Sequence, residues 1–143
     1  MNSLDTNLLI YAVNQECPEH LKAKAIYECL LDNPEDWMIS DQVLFEFYRA
    51  LRNPSILERP LNAKQAQHQI YFLRYEAGCA HCAYQSDYFD EIYPYLAMKS
   101  LNKARIFDLQ LAVTLYRNGV RTLYTRNKKD FVNFNLPELQ IIN

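Results

Sequence analysis

The sequence predicts an α/β domain in which helices cover both faces of a short, mostly parallel sheet. Three observations point there. Strand-sized apolar segments alternate along the chain with helix-length amphipathic ones. The segment 105–118 follows a helical template through Leu109, Ala112, Val113 and Tyr116, and Gly119 stands where a helix-ending glycine belongs. The chain has 143 residues, 50% of them hydrophobic and 22% charged, which suits one domain over 1–143 with its own core and excludes a disordered segment.

Residues 1–5 read as a short apolar strand ending in an acid, and Thr6 and Asn7 can cap the helix that carries Leu8, Leu9, Ile10 and Tyr11. Pro18 is expected to open a second helix reaching about Leu31, which Asn33-Pro34 ends. Trp37-Met38-Ile39 reads as a buried strand, and Ser40-Asp41 caps a third helix that stops near Arg52, ahead of Pro54. Residues 62–76 form a fourth helix, with Ala66, Ile70 and Leu73 on one stripe. The segment 79–87 is ambiguous and reads most simply as a loop, and 87–101 reads as helix with a bend near Pro94. After helix 105–118 come a strand over 120–125, a turn through Lys128-Lys129 and a last strand over 139–142.

Several function classes are excluded at once. With only two glycines the chain carries neither GxGxxG nor GxxxxGK[ST], so Rossmann and P-loop chemistry is ruled out. The early apolar run over 8–13 ends at Asn14, short of a signal-peptide core or a membrane span, which implies a cytoplasmic protein with no membrane partner. Cys17, Cys29, Cys79 and Cys82 are then expected as free thiols. Cys79-Ala-His-Cys82 matches half of a zinc motif, but no second pair stands at a suitable spacing.

The informative residues are acids that fall on apolar patterns. Asp5 closes the first strand, and ligands of parallel sheets bind beyond the carboxyl ends of strands, although a helix cap would use the same residue. Glu46 shares a helix face with Val43, Phe47 and Ala50, where a carboxylate is expensive unless paired or bound to a metal; a surface pair with Arg49 is the plainer alternative. Asp108 lies in the first turn of the most apolar helix, where the helix dipole alone would favour it. Asn127 follows the 120–125 strand, with Asp130 three residues further on. Oxygen ligands gathered this way suit Mg²⁺ or Mn²⁺, and without a cation such carboxylates would repel until one held a proton.

These segments resemble PIN-domain ribonucleases, specifically the VapC-type toxins of type II toxin–antitoxin pairs. The resemblance rests on LDTNLLIY over 4–11, DQVLFEFYR over 41–49, RIFDLQLA over 105–112, Gly119-Val120, and TRNKKDF over 125–131, in the family's order across nearly the whole chain. It implies a three-layer α/β/α fold with a short, mostly parallel sheet of about four to five strands, and Mg²⁺-dependent hydrolysis of RNA. Asp5, Glu46 and Asp108 match the family's acidic positions, Asn127 stands at the fourth, and Asp130 can add the missing charge from behind. By the same resemblance Asp5 and Asp108 hold the Mg²⁺ (or Mn²⁺), Glu46 orients or deprotonates the attacking water, and Thr6 and Asn7 support the site. The implied partners are an RNA substrate, a small cognate antitoxin and a second copy of the chain, with Tyr11, Tyr27, Phe45 and Tyr48 as candidate aromatic contacts, though core packing is the expected fate of most. Asn127 leaves a second reading open, an inactive PIN-like module that only binds RNA or protein. A haloacid-dehalogenase-type phosphatase needs a second Asp two residues after the first, where this chain has Asn7.

The formal net charge of −2 conceals a segregation. Residues 99–130 carry eight basic side chains against Asp108 and Asp130, a local excess of +6 opposed by −8 elsewhere. Arg49, Arg105, Arg126 and Lys128 are the candidate RNA contacts.

Overall fold

The computed structural model describes residues 1–103 and 105–143. Within them, the strands β1 (Asn2–Leu4), β2 (Met38–Ser40), β3 (Ala80–Cys82), β4 (Thr122–Tyr124) and β5 (Gln140–Ile142) alternate with the helices α1 (Thr6–Val13), α2 (His20–Asp32), α3 (Asp41–Leu51), α4 (Ala63–Tyr71), α5 (Phe89–Ile92) and α6 (Arg105–Arg117). Every pairing is parallel: β1 with β4, β4 with β5, and β2 with β3. A single parallel bridge from Asn2 to Trp37 sets the two ladders edge to edge, giving the order β3-β2-β1-β4-β5. The α/β class and the strand count are those expected.

The core explains why such short strands suffice. Leu4, Ile39 and Leu123 of the sheet meet Leu9, Phe47, Leu51, Leu111 and Leu115 of the helices in one buried cluster. Leu109 and Val113 turn the other way and pack with Tyr88 and Ile92 in a second cluster. α6 is therefore buried on most sides, and each enclosed Leu or Val contributes about 1.5–3 kcal/mol relative to exposure. Gly119, at φ +85°, ends it: its N–H donates to the Tyr116 carbonyl, and the Val120 N–H donates to that of Leu115. Ser40 caps α3 by accepting from the Gln42 N–H at 3.3 Å.

Four local expectations need correction. The first helix is capped by Asp5, whose Oδ1 accepts from the Thr6 N–H at 2.7 Å, rather than by Thr6 or Asn7. α2 begins at His20, two residues after Pro18, because a turn closed by the His20 N–H and the Cys17 carbonyl intervenes. The segment read as a loop contains β3, which is held by its ladder to β2, a partner some forty residues away. Residues 86–97 form a broken helical run, Ser86–Tyr88, α5 and Tyr93–Ala97, with 3₁₀ turns on either side of α5. Among the described residues no helix is long and apolar enough to cross a membrane.

Candidate active site

β1 and β4 are parallel neighbours in the register Leu4 to Tyr124, so their carboxyl ends open side by side. Asp5 and Thr125 are the next residues on each. The Asp5 N–H donates to the Tyr124 carbonyl at 2.9 Å, and the Thr125 hydroxyl donates to Asp5 Oδ2 at 2.9 Å. Asn7 Nδ2 approaches the same Oδ2 at 3.3 Å, while its Oδ1 accepts from the Arg126 N–H at 3.3 Å. Asp5 is 8% exposed, and burial pushes its carboxyl up to about 6 against the hydrogen bonds from Thr125 and Thr6, with the charges of Glu46 and Asp130 adding to the rise.

Glu46 stands at the edge of the α3 stripe, half-buried, while Val43, Phe47 and Ala50 are fully enclosed. Both of its oxygens are held: the Thr6 hydroxyl donates to Oε2 at 2.7 Å and Gln42 Nε2 to Oε1 at 3.1 Å. Gln42 Nε2 also donates to the Phe107 carbonyl at 2.9 Å, tying α3 to the turn of α6 that carries Asp108. The plainer alternative for Glu46, an ion pair with Arg49, is absent among the described residues. Asp108 is pushed up to about 7 by burial and by the charges of Asp5, Asp130 and Glu46, with Arg105 opposing. Two carboxyls raised by burial first and by neighbouring carboxylates second mark a site short of positive charge.

No protein-family model matches the chain. It is 36% identical over 135 residues to Ribonuclease VapC24 of Mycobacterium tuberculosis, in strains CDC 1551 / Oshkosh and ATCC 25618 / H37Rv, covering 94% of this chain and 91% of the relative. The chain belongs to the VapC ribonuclease family. Solved structures share its PIN fold at lower identity. VapC20 of Mycobacterium tuberculosis, described as a Sarcin-Ricin loop cleaving toxin, superposes with a TM-score of 0.65 at 15% identity over 86% of this chain and 87% of its own. VapBC2 from Rickettsia felis, bound to a promoter DNA fragment, gives 0.63 at 24% identity over 99% and 97%. FitAcB from Neisseria gonorrhoeae gives 0.63 at 20% identity over 100% and 97%.

Within this VapC-family pocket the two candidates for the fourth acidic position part company. Asn127 is exposed and lines a separate basic cavity with Tyr11, Glu19, Arg126, Lys128 and Lys129. Asp130 acts electrostatically on both Asp5 and Asp108. The 3₁₀ turn Lys128–Asp130 separates the two residues, and the Asn127 N–H donates to the Thr125 hydroxyl oxygen at 3.1 Å.

Among the described residues no three acidic, His or Cys side chains close into a preformed metal cage. The carboxylates at the site are hard oxygen donors, a type that suits a cation such as Mg²⁺, which keeps several waters and takes one or two carboxylates directly. Asp5 and Asp108, raised by burial and by neighbouring carboxylates, are the groups a divalent charge would relieve.

The basic candidates separate similarly. Arg49 lines a groove of about 470 Å³ beside Glu46, with Phe45 (75% exposed), Tyr84 and Phe107. Arg126 is exposed and lies 3.7 Å from Glu19. Lys128 has no ion pair among the described residues. Arg105 does not fit the RNA-contact expectation: it is 9% exposed, and each of its three guanidinium nitrogens donates to a main-chain carbonyl. Arg117 and Arg121 are also neutralised, by Asp87 and Glu91 and by Glu138, so the local +6 is smaller at the surface than in the sequence. Of the four aromatic candidates none is fully buried: Tyr11 and Tyr27 pack against the core margin, and Phe45 and Tyr48 are exposed.

All four cysteines are free. Cys79 and Cys82 are buried on β3 and its approach, and desolvation raises both thiols, Cys82 to about 11, which disfavours the nucleophilic thiolate. Sequence reading missed Thr125 and Gln42 as site residues. Thr125 lay inside the quoted TRNKKDF segment, and Gln42 stands four residues before Glu46 on the same helix face, the spacing at which side chains meet.

Proposed function

We propose that this chain is a Mg²⁺-dependent endoribonuclease, with Mn²⁺ as the alternative cation, and the toxin of a type II pair restrained by a small cognate antitoxin. The observation that carries the reading is the coupling of Asp5, Glu46, Asp108 and Asp130 at the carboxyl edge of the sheet, in a chain whose curated relative is named a ribonuclease. Asp5 and Asp108 would hold the cation, which when bound supplies charge neutralisation at a phosphate oxygen and acidifies a water. Glu46 orients or deprotonates the attacking water, its carboxylate fixed by Thr6 and Gln42. Asp130 completes the negative field. The antitoxin and homodimer readings draw on the family and on the VapBC assembly named in the Rickettsia felis structure. The alternative, an inactive binding module, rests on Asn127, and Asp130 offsets that substitution from a second position.

Purified protein is expected to cut total RNA in Mg²⁺ and to stop in EDTA. Asp108→Ala is expected to weaken Mn²⁺ binding, read by calorimetry, by at least about tenfold, since a direct carboxylate matters no less than the outer partners of a metal site. Undiminished Mn²⁺ affinity would remove Asp108 from the site. Joint reversal, Arg126→Glu with Lys128→Glu, is expected to lower the salt slope of single-stranded RNA binding by roughly 1.4 or more, two phosphate contacts at about 0.7 each. An unchanged slope would take that cavity out of the RNA path.

A further inference from the structure

We propose that Arg105 is a positioning residue of the acidic pocket: its guanidinium clamps the main chain at Asp130 to the first turn of α6 and so sets the Asp130 carboxylate facing Asp5 and Asp108. The inference rests on the nuclease reading and assigns to a buried cation a role that its charge alone does not suggest. Nε and Nη2 donate to the Asp130 carbonyl at 3.2 and 2.6 Å, and Nη1 donates to the Ser100 carbonyl at 3.2 Å. The guanidinium lies 5.2 Å from the Phe134 ring centroid, which covers one face. Two donors of a planar fork on one acceptor fix direction as well as distance, which a lysine cannot do.

The other constraints on Asp130 complete the clamp. Its N–H donates to the Asn127 carbonyl at 2.9 Å, so both main-chain polar atoms are engaged. The next residue, Phe131, is buried in the main core. Arg105 and Asp108 stand three residues apart on α6, on neighbouring positions of one face. One side chain therefore ties the element bearing Asp108 to the turn bearing Asp130. With a donor from each of its three nitrogens engaged and its surface enclosed, Arg105 is poorly placed to meet a phosphate.

The test is a double-mutant cycle on cleavage of a single-stranded RNA at saturating Mg²⁺, with Arg105→Met, Arg105→Lys and Asp130→Asn. Arg105→Met is expected to lower kcat by roughly 10–100-fold and to leave KM within about twofold, as for the outer partners of other metal sites. Arg105→Lys, keeping the charge and a donor group but not the planar fork, is expected to recover part of that loss. In the Asp130→Asn background the Arg105→Met loss should shrink to under about twofold, because the residue acts through Asp130. Equal losses in both backgrounds, a rise in KM alone, or full activity of Asp130→Asn would each overturn the proposal. If Arg105→Met gives no cooperative melt, Arg105→Lys carries the same cycle. Full activity of Asp5→Asn would instead overturn the nuclease reading itself.

Discussion

Asp5→Asn is expected to cleave RNA at least about 1000-fold more slowly than the wild type, because losing several kcal/mol of metal-assisted stabilisation removes about tenfold for each 1.36 kcal/mol. The fold should survive. An asparagine oxygen at Oδ1 still accepts from the Thr6 N–H, so the cap of α1 is retained. The amide nitrogen then faces the Thr125 hydroxyl, whose oxygen accepts from the Asn127 N–H at 3.1 Å and has a second lone pair for the new donor. The mismatch falls on Asn7, whose Nδ2 meets Asp5 Oδ2 at 3.3 Å and whose Oδ1 is engaged by the Arg126 N–H. Against that one lost contact stands the removal of a buried charge. Single-turnover cleavage and a thermal melt at pH 8 read the two halves separately. Mg²⁺-dependent cleavage at the wild-type rate would remove Asp5 from the reaction; a collapsed melt would make it a fold residue first.

Much of the pocket was legible because local chemistry and tertiary placement agree there. A strand that ends in Asp and is followed by an apolar helix puts that Asp at the sheet edge whatever its partner strand. A carboxylate on the Val43, Phe47, Ala50 stripe had to find donors, and Thr6 and Gln42 are those donors. What stayed hidden depended on distant partners. β3 is three residues long and contains His81 between two cysteines; only its ladder to β2 makes it a strand. Arg105 read as a surface cation because an arginine's burial is decided by the carbonyls it meets, here those of Ser100 and Asp130. The relation of Asn127 to Asp130 was less legible, since the turn expected through Lys128-Lys129 is a 3₁₀ turn whose side-chain directions depend on what packs around it.

The second large effect is a stability that falls with pH. Asp5 rises from 3.8 to about 6 and Asp108 from 3.8 to about 7 on folding. Between pH 4 and pH 7 the native state therefore keeps protons that the unfolded chain has released, and stability declines as pH rises through that window. It is fully present below about pH 4 and gone above about pH 7. For Asp5 the linkage is on the order of 3 kcal/mol at 1.36 kcal/mol per pH unit. Asp108 adds in the same direction but by less for its size, being more open to solvent. His81 opposes them: burial holds its imidazole below 6.5, so its own contribution rises with pH and is complete near 6.5. The decisive quantity is the difference between the wild type and the Asp5→Asn, Asp108→Asn double variant, in which only the His81 slope and the ordinary surface groups remain. In EDTA the wild type is expected to lose about 10 °C of Tm relative to that variant between pH 5 and pH 8, taking about 3 °C per kcal/mol for a chain of this size. Millimolar Mg²⁺ should restore most of the loss at pH 8 and almost none at pH 5, because the cation binds the ionised carboxylates. Parallel pH profiles for the two proteins would mean that Asp5 and Asp108 ionise in the fold as they do in water, and that the pocket carries no charge deficit for a cation to relieve.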